Sequence, residues 1–194
     1  KKDKWNFVTC LYDSTLGSAN IKIYVNAVVG SVTANLTETI NASETMELGG
    51  PSTDLKGYMK DFRFWKRKSL SAAEILQLYQ GINEHELTPD FWLLMDEGEG
   101  NPKSYGLIGI LNDAVQWDHN SAYFNGINSH IDCKKETTLW GASQTKFSVV
   151  FWAKFKQHSI DTPFRTLFAF WDPVGTNGCS CFQDQSRPKK LIFD

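Results

Sequence analysis

Three carboxylates crowd one short stretch: Asp96, Glu97 and Glu99, interleaved with Gly98 and Gly100. Carboxylate oxygens gathered on a loop are the ligands a hard cation takes. Glycoside hydrolysis also uses carboxylates, but it needs two of them facing each other across the sugar bond, about 5–10 Å apart in a cleft. A turn broken by glycines does not present such a pair, so a cation site or plain turn chemistry fits better than catalysis. The four histidines, at 85, 119, 130 and 158, fall at no spacing that suits zinc or the base of a nucleophile. Gly98-Glu99-Gly100 lacks the third glycine and the helix of a phosphate loop. No enzyme chemistry is expected from these residues.

The thiols Cys10, Cys133, Cys179 and Cys181 are disulfide candidates. Four cysteines allow three full pairings, and spacing does not choose among them. Cys179 and Cys181 sit too close for an easy mutual bridge, and no second ligand pair stands at zinc-finger spacing. Asn35-Leu36-Thr37 and Asn41-Ala42-Ser43 are glycosylation sequons in a polar stretch, which makes Asn35 and Asn41 candidate acceptors. Sequons and disulfides both belong to an oxidising compartment, so the expected location is extracellular or at the cell surface, through the secretory pathway. Trp152 alternates out of an apolar set, and an aromatic on that face either stacks on a sugar or covers a neighbouring loop. Lys66-Arg67-Lys68 reads as a contact for acidic glycans or as a solvated turn. Asp61 and Arg63 share one strand face, where a solvated pair contributes little.

These residues need a scaffold, and the chain reads as strands. Of 194 residues, 41% are apolar and 13% aromatic, as in a folded chain rich in broad buried faces. Lys and Arg number 20 against 22 Asp and Glu, a net charge of -2. That balance excludes the basic field of a nucleic-acid binder. No run approaches the roughly 20 apolar residues of a spanning helix, so no membrane insertion is expected in this segment. The first and last strand-like runs, from Trp5 and up to Phe193, look cut into, as in a piece of a longer chain.

Residues 5–12 form a strand, and Ile21, Ile23 and Val25 alternate with polar neighbours. Asn26-Ala27 sits where a hairpin turn belongs, with Val28-Val29 returning. Over residues 57–66, Tyr58, Lys60, Phe62 and Phe64 share one face and Met59, Asp61, Arg63 and Trp65 the other. One helix is expected. Ser71 is its N-cap, Glu74 completes a capping box, Leu70 and Ile75 staple the entry, and Gly81 ends it. Phe91 to Met95 is a strand, residues 101–120 are loop-like, and Asn125-Gly126 is a hairpin signal after Ala122 to Phe124. Phe147, Val149, Phe151, Ala153 and Phe155 alternate strictly. Leu167 to Trp171 is a strand, Asp172 to Pro188 a loop, and 191–193 a last strand. About ten strands and one short helix make an all-β chain.

In this order the phrases resemble laminin G-like domains of the concanavalin A-like lectin/glucanase group. Trp5 to Asp13, Ile23-Tyr24-Val25-Asn26, Gly49-Gly50, Gly57 to Trp65 and Leu70 to Tyr79 are similar to the closing half of such a domain. Trp92 to Gly100, Ala122 to Asp132 and Phe147 to Lys154 are similar to its opening half. Ala27 and Asn125 depart from the family's usual Gly and Asp. The resemblance implies an antiparallel jelly-roll β-sandwich in one of two arrangements. Residues 1–86 close one sandwich and 87–194 open a following one, or 1–194 is one circularly permuted domain. It implies Ca2+ on loop oxygens, with Asp96, Asn125 and Asp132 as candidate ligands, and Trp152 as a candidate ligand-binding residue. The function it implies is a non-catalytic adhesion or structural module of a larger surface protein. Its partners would be proteins, glycans or neighbouring domains of the same chain. A calcium-dependent lectin and a subunit of a surface filament are the alternatives.

Overall fold

The computed structural model describes residues 3–30, 46–49, 55–82, 86–96, 104–105, 108–111, 115–118, 120–127, 129–134, 145–156, 164–171, 178–184 and 190–193. In chain order the elements are β1 (Trp5–Asp13), β2 (Ile21–Val25), β3 (Val28–Val29), β4 (Met46–Leu48), β5 (Lys56–Lys66) and α1 (Ala72–Gln80). There follow β6 (Phe91–Leu93), β7 (Ser104–Tyr105), β8 (Ile108–Leu111), β9 (Gln116–Trp117), β10 (Ala122–Asn125) and β11 (Ile131–Lys134). The last four are β12 (Lys146–Phe155), β13 (Phe164–Trp171), β14 (Gly178–Asp184) and β15 (Lys190–Phe193).

The strands make two antiparallel sheets, as expected for a concanavalin A-like sandwich. The first runs β3-β2-β1-β12-β5-β10-β9, with β6 and β7 beside β5. The second runs β15-β14-β13-β4-β11-β8. Strands from residues 1–86 and 87–194 interleave in both: β12 lies between β1 and β5, and β4 lies between β13 and β11. Phe62 on β5 stacks on Phe151 of β12 at 5.9 Å between ring centroids, and Phe64 meets Phe147 at 5.9 Å. The alternation read along β12 holds, with Phe147, Val149, Phe151, Ala153 and Phe155 all in the core between the sheets. Each buried aromatic or aliphatic of this kind adds roughly 1.5–3 kcal/mol of transfer free energy.

On β5 the expected alternation fails at one point. Asp61 takes a left-handed φ of 54°, and the pairing with β12 shifts between Val150 and Trp152. This bulge inserts one residue and flips the phase. Met59 therefore shares the core with Phe62 and Phe64, whereas Tyr58 and Lys60 stand outside. Asp61 and Arg63 are not a solvated pair. Arg63 is 3% exposed, its Nε and Nη2 reach the two Asp61 oxygens at 2.7 and 3.0 Å, and its guanidinium lies 4.4 Å from the Trp92 ring centroid. The Trp92 indole N–H donates to Asp61 Oδ1 at 2.7 Å, so burial and three donors fix what exposure would leave loose.

The helix forms as its caps predict. Ser71 Oγ accepts from Glu74 N at 3.3 Å, Glu74 Oε2 accepts from Ser71 N at 2.7 Å, and Gly81 turns left-handed at φ 69°. Ile75 and Leu78 press onto the outer face of the first sheet, against Phe7, Leu11, Trp65 and Val150. Ser148 fixes the approach to the helix: its buried Oγ accepts from Leu70 N at 2.9 Å and donates to Lys68 O at 2.8 Å.

Three loop readings are corrected. Residues 101–120 contribute β7, β8 and β9, and 172–188 contain β14. Ladder pairing places them in the sheets: β7 on β6, β8 on β11, β9 on β10, and β14 between β13 and β15. Asn125-Gly126 is no hairpin, since β10 belongs to the first sheet and β11 to the second. Asn125 Oδ1 instead accepts from Ile127 N at 2.8 Å and Ser129 Oγ at 2.9 Å, making a corner that changes sheets. The Asn26-Ala27 hairpin is present, with both residues left-handed at φ 53° and 61°.

Candidate functional site

One row of side chains crosses the outer face of the first sheet. Trp5 on β1 is paired with Lys154 on β12, Lys154 with Tyr58 on β5, and Tyr58 with Tyr123 on β10. Residues directly opposite in neighbouring strands put their side chains on the same face, so the four stand in line. The rings touch: Trp5 and Tyr58 are 6.4 Å apart, Tyr58 and Tyr123 5.0 Å. All three are half-exposed.

Three lysines sit over these rings. Lys60 Nζ lies 4.8 Å from the Trp5 centroid and Lys154 Nζ 5.1 Å from Tyr58. Lys156 is shared, 4.9 Å from Tyr58 and 4.8 Å from Tyr123. A cation over an aromatic face is attracted by the ring quadrupole, which fixes ammonium groups that would otherwise wander in solvent. A hydrogen bond with Tyr58 pushes the Lys156 pKa up, against the smaller opposing effect of desolvation. An open depression of about 300 Å³ lies at the Trp5 end, walled by Trp5, Tyr58, Lys60 and Lys154 on the sheet side and by Asp118, Asn120 and Ser121 on the loop before β10. That loop is held by Asp118 N donating to Ser121 O at 3.0 Å and Ser121 Oγ donating to Asp118 O at 3.0 Å. Among the described residues of this wall Asp118 is the one carboxylate, where glycoside hydrolysis needs two.

The sequence placed other residues at the site, and the structure scatters them. Trp152 lies one row further along the same face, stacked on Tyr79 of α1 at 5.9 Å and edge-on to Phe7 at 5.1 Å. Asp96 is exposed just beyond β6, Asn125 spends its Oδ1 on the corner turn, and Asp132 stands on the second sheet with His130 Nε2 3.5 Å away. Across from Asp132 is Glu47, whose carboxyl is pushed up first by burial and then by the Asp132 charge. Asp96, Asn125 and Asp132 thus stand on three different parts of the chain: beyond β6, on β10 and on β11. Among the described residues, no three His, Cys, Asp or Glu side chains gather as a metal site. Asn35, Asn41, Glu97, Glu99 and the histidines at 85, 119 and 158 lie outside the described residues. So does the side chain of Cys179. In the basic triplet, Lys68 is tied to Glu74 at 2.7 Å and the Lys66 N–H to Asp90 at 2.7 Å.

Sequence reasoning missed the row for a physical reason. The bulge hides Tyr58, which strict alternation places beside Phe62 on the core face. Tyr123 was legible, because it alternates with the buried Ala122 and Phe124.

Residues 1–76 match a laminin G family model described as concanavalin A-like lectin/glucanases superfamily. The resemblance to a laminin G-like domain holds over that segment, which contains Trp5, Tyr58 and Lys60 and ends within α1. Comparison with curated proteins and with solved structures returned no match. The superfamily suggests a carbohydrate- or protein-binding module.

Proposed function

We propose that the chain is a non-catalytic adhesion module of an extracellular or cell-surface protein, and that it holds acidic glycans on the Trp5–Lys154–Tyr58–Tyr123 row. The observation that carries this reading is the alternation of ring faces and ammonium groups along one line. Sugar rings present C–H faces that stack on aromatics. Carboxylate or sulfate groups on those sugars pair with Lys60, Lys154 and Lys156, whose positions the rings have already restricted. That the described residues of the depression include one carboxylate, not a facing pair, supports binding without hydrolysis. We further read residues 1–194 as one sandwich whose closing half precedes its opening half, because strands of the two halves alternate in both sheets.

Calorimetric titration with uronate- or sulfate-bearing oligosaccharides, beside neutral ones of equal length, tests the function. The acidic ligands bind at least about tenfold tighter, a difference of about 1.4 kcal/mol. Their affinity falls as salt screens the lysines. Tyr58→Ala removes the central ring and most of the binding. Equal affinity for neutral ligands, or binding untouched by Tyr58→Ala, overturns the row as the site. Binding that is lost with a chelator and restored by Ca2+ favours the calcium-dependent lectin instead.

A further inference from the structure

Cys10 and Cys181 come from opposite sheets and meet in the core. Cys10 sits on β1 and faces inward with Val8 and Tyr12; Cys181 sits on β14. Both are 0% exposed, and their sulfurs are 3.5 Å apart. Both are thiols in this structure. A disulfide needs sulfurs about 2.05 Å apart, so the gap to close is roughly 1.5 Å, within the range of side-chain rotation. Of the three pairings that sequence alone leaves open, this contact selects one.

We propose that Cys10 and Cys181 form a disulfide that bolts the two sheets together. The reaction is thiol–disulfide exchange with a disulfide oxidant. Both S–H bonds break, the Cys10–Cys181 bond forms, and the oxidant's S–S bond is reduced to two thiols that carry the two hydrogens. Because neither sulfur is exposed in the closed sandwich, the exchange takes place before the sheets close or while they are parted. Once formed, the bond is sealed in the core, and reductant reaches it only when the protein opens. The bridge spans 171 positions, from the first strand to the last hairpin. It therefore restricts the unfolded chain strongly. This proposal is independent of the glycan face, and glycan titration under reducing conditions reads that face separately.

The test is a peptide map of the full 194-residue chain, folded in a mixture of reduced and oxidised glutathione and digested without reductant. The expected result is a tryptic fragment containing Cys10, residues 5–22, linked to the fragment containing Cys179 and Cys181. Fragmentation within the linked pair then places the bond on Cys181. The Cys179→Ser variant keeps the link and Cys181→Ser loses it. In the native state dithiothreitol leaves the bond intact, and in denaturant it breaks it. The oxidised chain melts roughly 10 °C above the reduced one. A bond from Cys10 to Cys133 or Cys179, or full alkylation of all four thiols when the glutathione-treated chain is denatured without reductant, overturns the proposal. The wild-type map decides even if Cys181→Ser does not fold.

Discussion

The outer face of the first sheet has two ends built from the same three strands. At one end Phe7 and Trp152 face each other across β1 and β12, and α1 lies on top of them. Two residues further along the same strands, Trp5 and Lys154 face each other, and lysines lie on top instead. Both ends present aromatics, yet only at the first does an apolar lid bury one, Phe7, completely, with Trp152 half-exposed at its margin. An apolar lid removes the rings from water and adds stability. An ammonium lid leaves part of each ring in solvent and keeps its own charge. The difference separates rings that hold the fold from rings available to a ligand, a distinction that residue type alone does not make.

The strongest way to break this comparison is to lift the apolar lid. Ile75 is fully buried under α1, and Ile75→Ala should destabilise the chain by about 2–4 kcal/mol in denaturant titration. If the loss stays under about 1 kcal/mol, α1 does not seal this face. Next comes Ser148→Ala, which strands Leu70 N and Lys68 O beneath the helix. It should cost about 1–3 kcal/mol by the same measurement. Tyr58→Ala sharpens the contrast from the other end. It should change stability by no more than about 1 kcal/mol while removing glycan binding, because its ring is half-exposed. A loss as large as that of Ile75→Ala would make Tyr58 part of the fold rather than of a site.

The smallest effect is electrostatic. Lys156 has a raised pKa, with the Tyr58 hydrogen bond as its leading cause. A lysine whose folded pKa lies above its unfolded value contributes stability that is complete below the unfolded value. That contribution fades as pH rises through the folded one. The tie to Tyr58 should therefore be intact at neutral pH and loosen only in alkali above the ordinary lysine range. An NMR titration of the Lys156 side-chain carbons checks this; a midpoint at or below that of an unperturbed lysine contradicts it.

Much of the scaffold was legible because local and tertiary signals agree there. The capping box at Ser71 and Glu74, the strict alternation of β12 and the turn at Asn26-Ala27 all appear where the residues place them. The site was less legible. A single inserted residue at Asp61 moves Tyr58 and Lys60 to the outside, and no local pattern announces a bulge inside an apolar strand. Trp152 was singled out for stacking because it leaves the core face. What the sequence does not carry is that Phe7 and Tyr79, 145 and 73 positions away, come to rest on it. The Ca2+ candidates share an oxygen chemistry but not a strand, a sheet or a turn.

The interleaving of the sheets also has a consequence in time. A ribosome releases β1 well before β12, and the hairpin of β1 with β2 can close at once. Its other neighbour, β12, pairs Trp5 with Lys154 and Asp13 with Lys146. At synthesis rates of about 5–20 residues per second, that partner arrives roughly ten seconds later. Until then one edge of β1 and the β12-facing edge of the long β5 lack their final partner. Between the synthesis of β5 and that of β12 the nascent chain thus carries open strand edges, and aggregation during expression is the hazard this strand order creates.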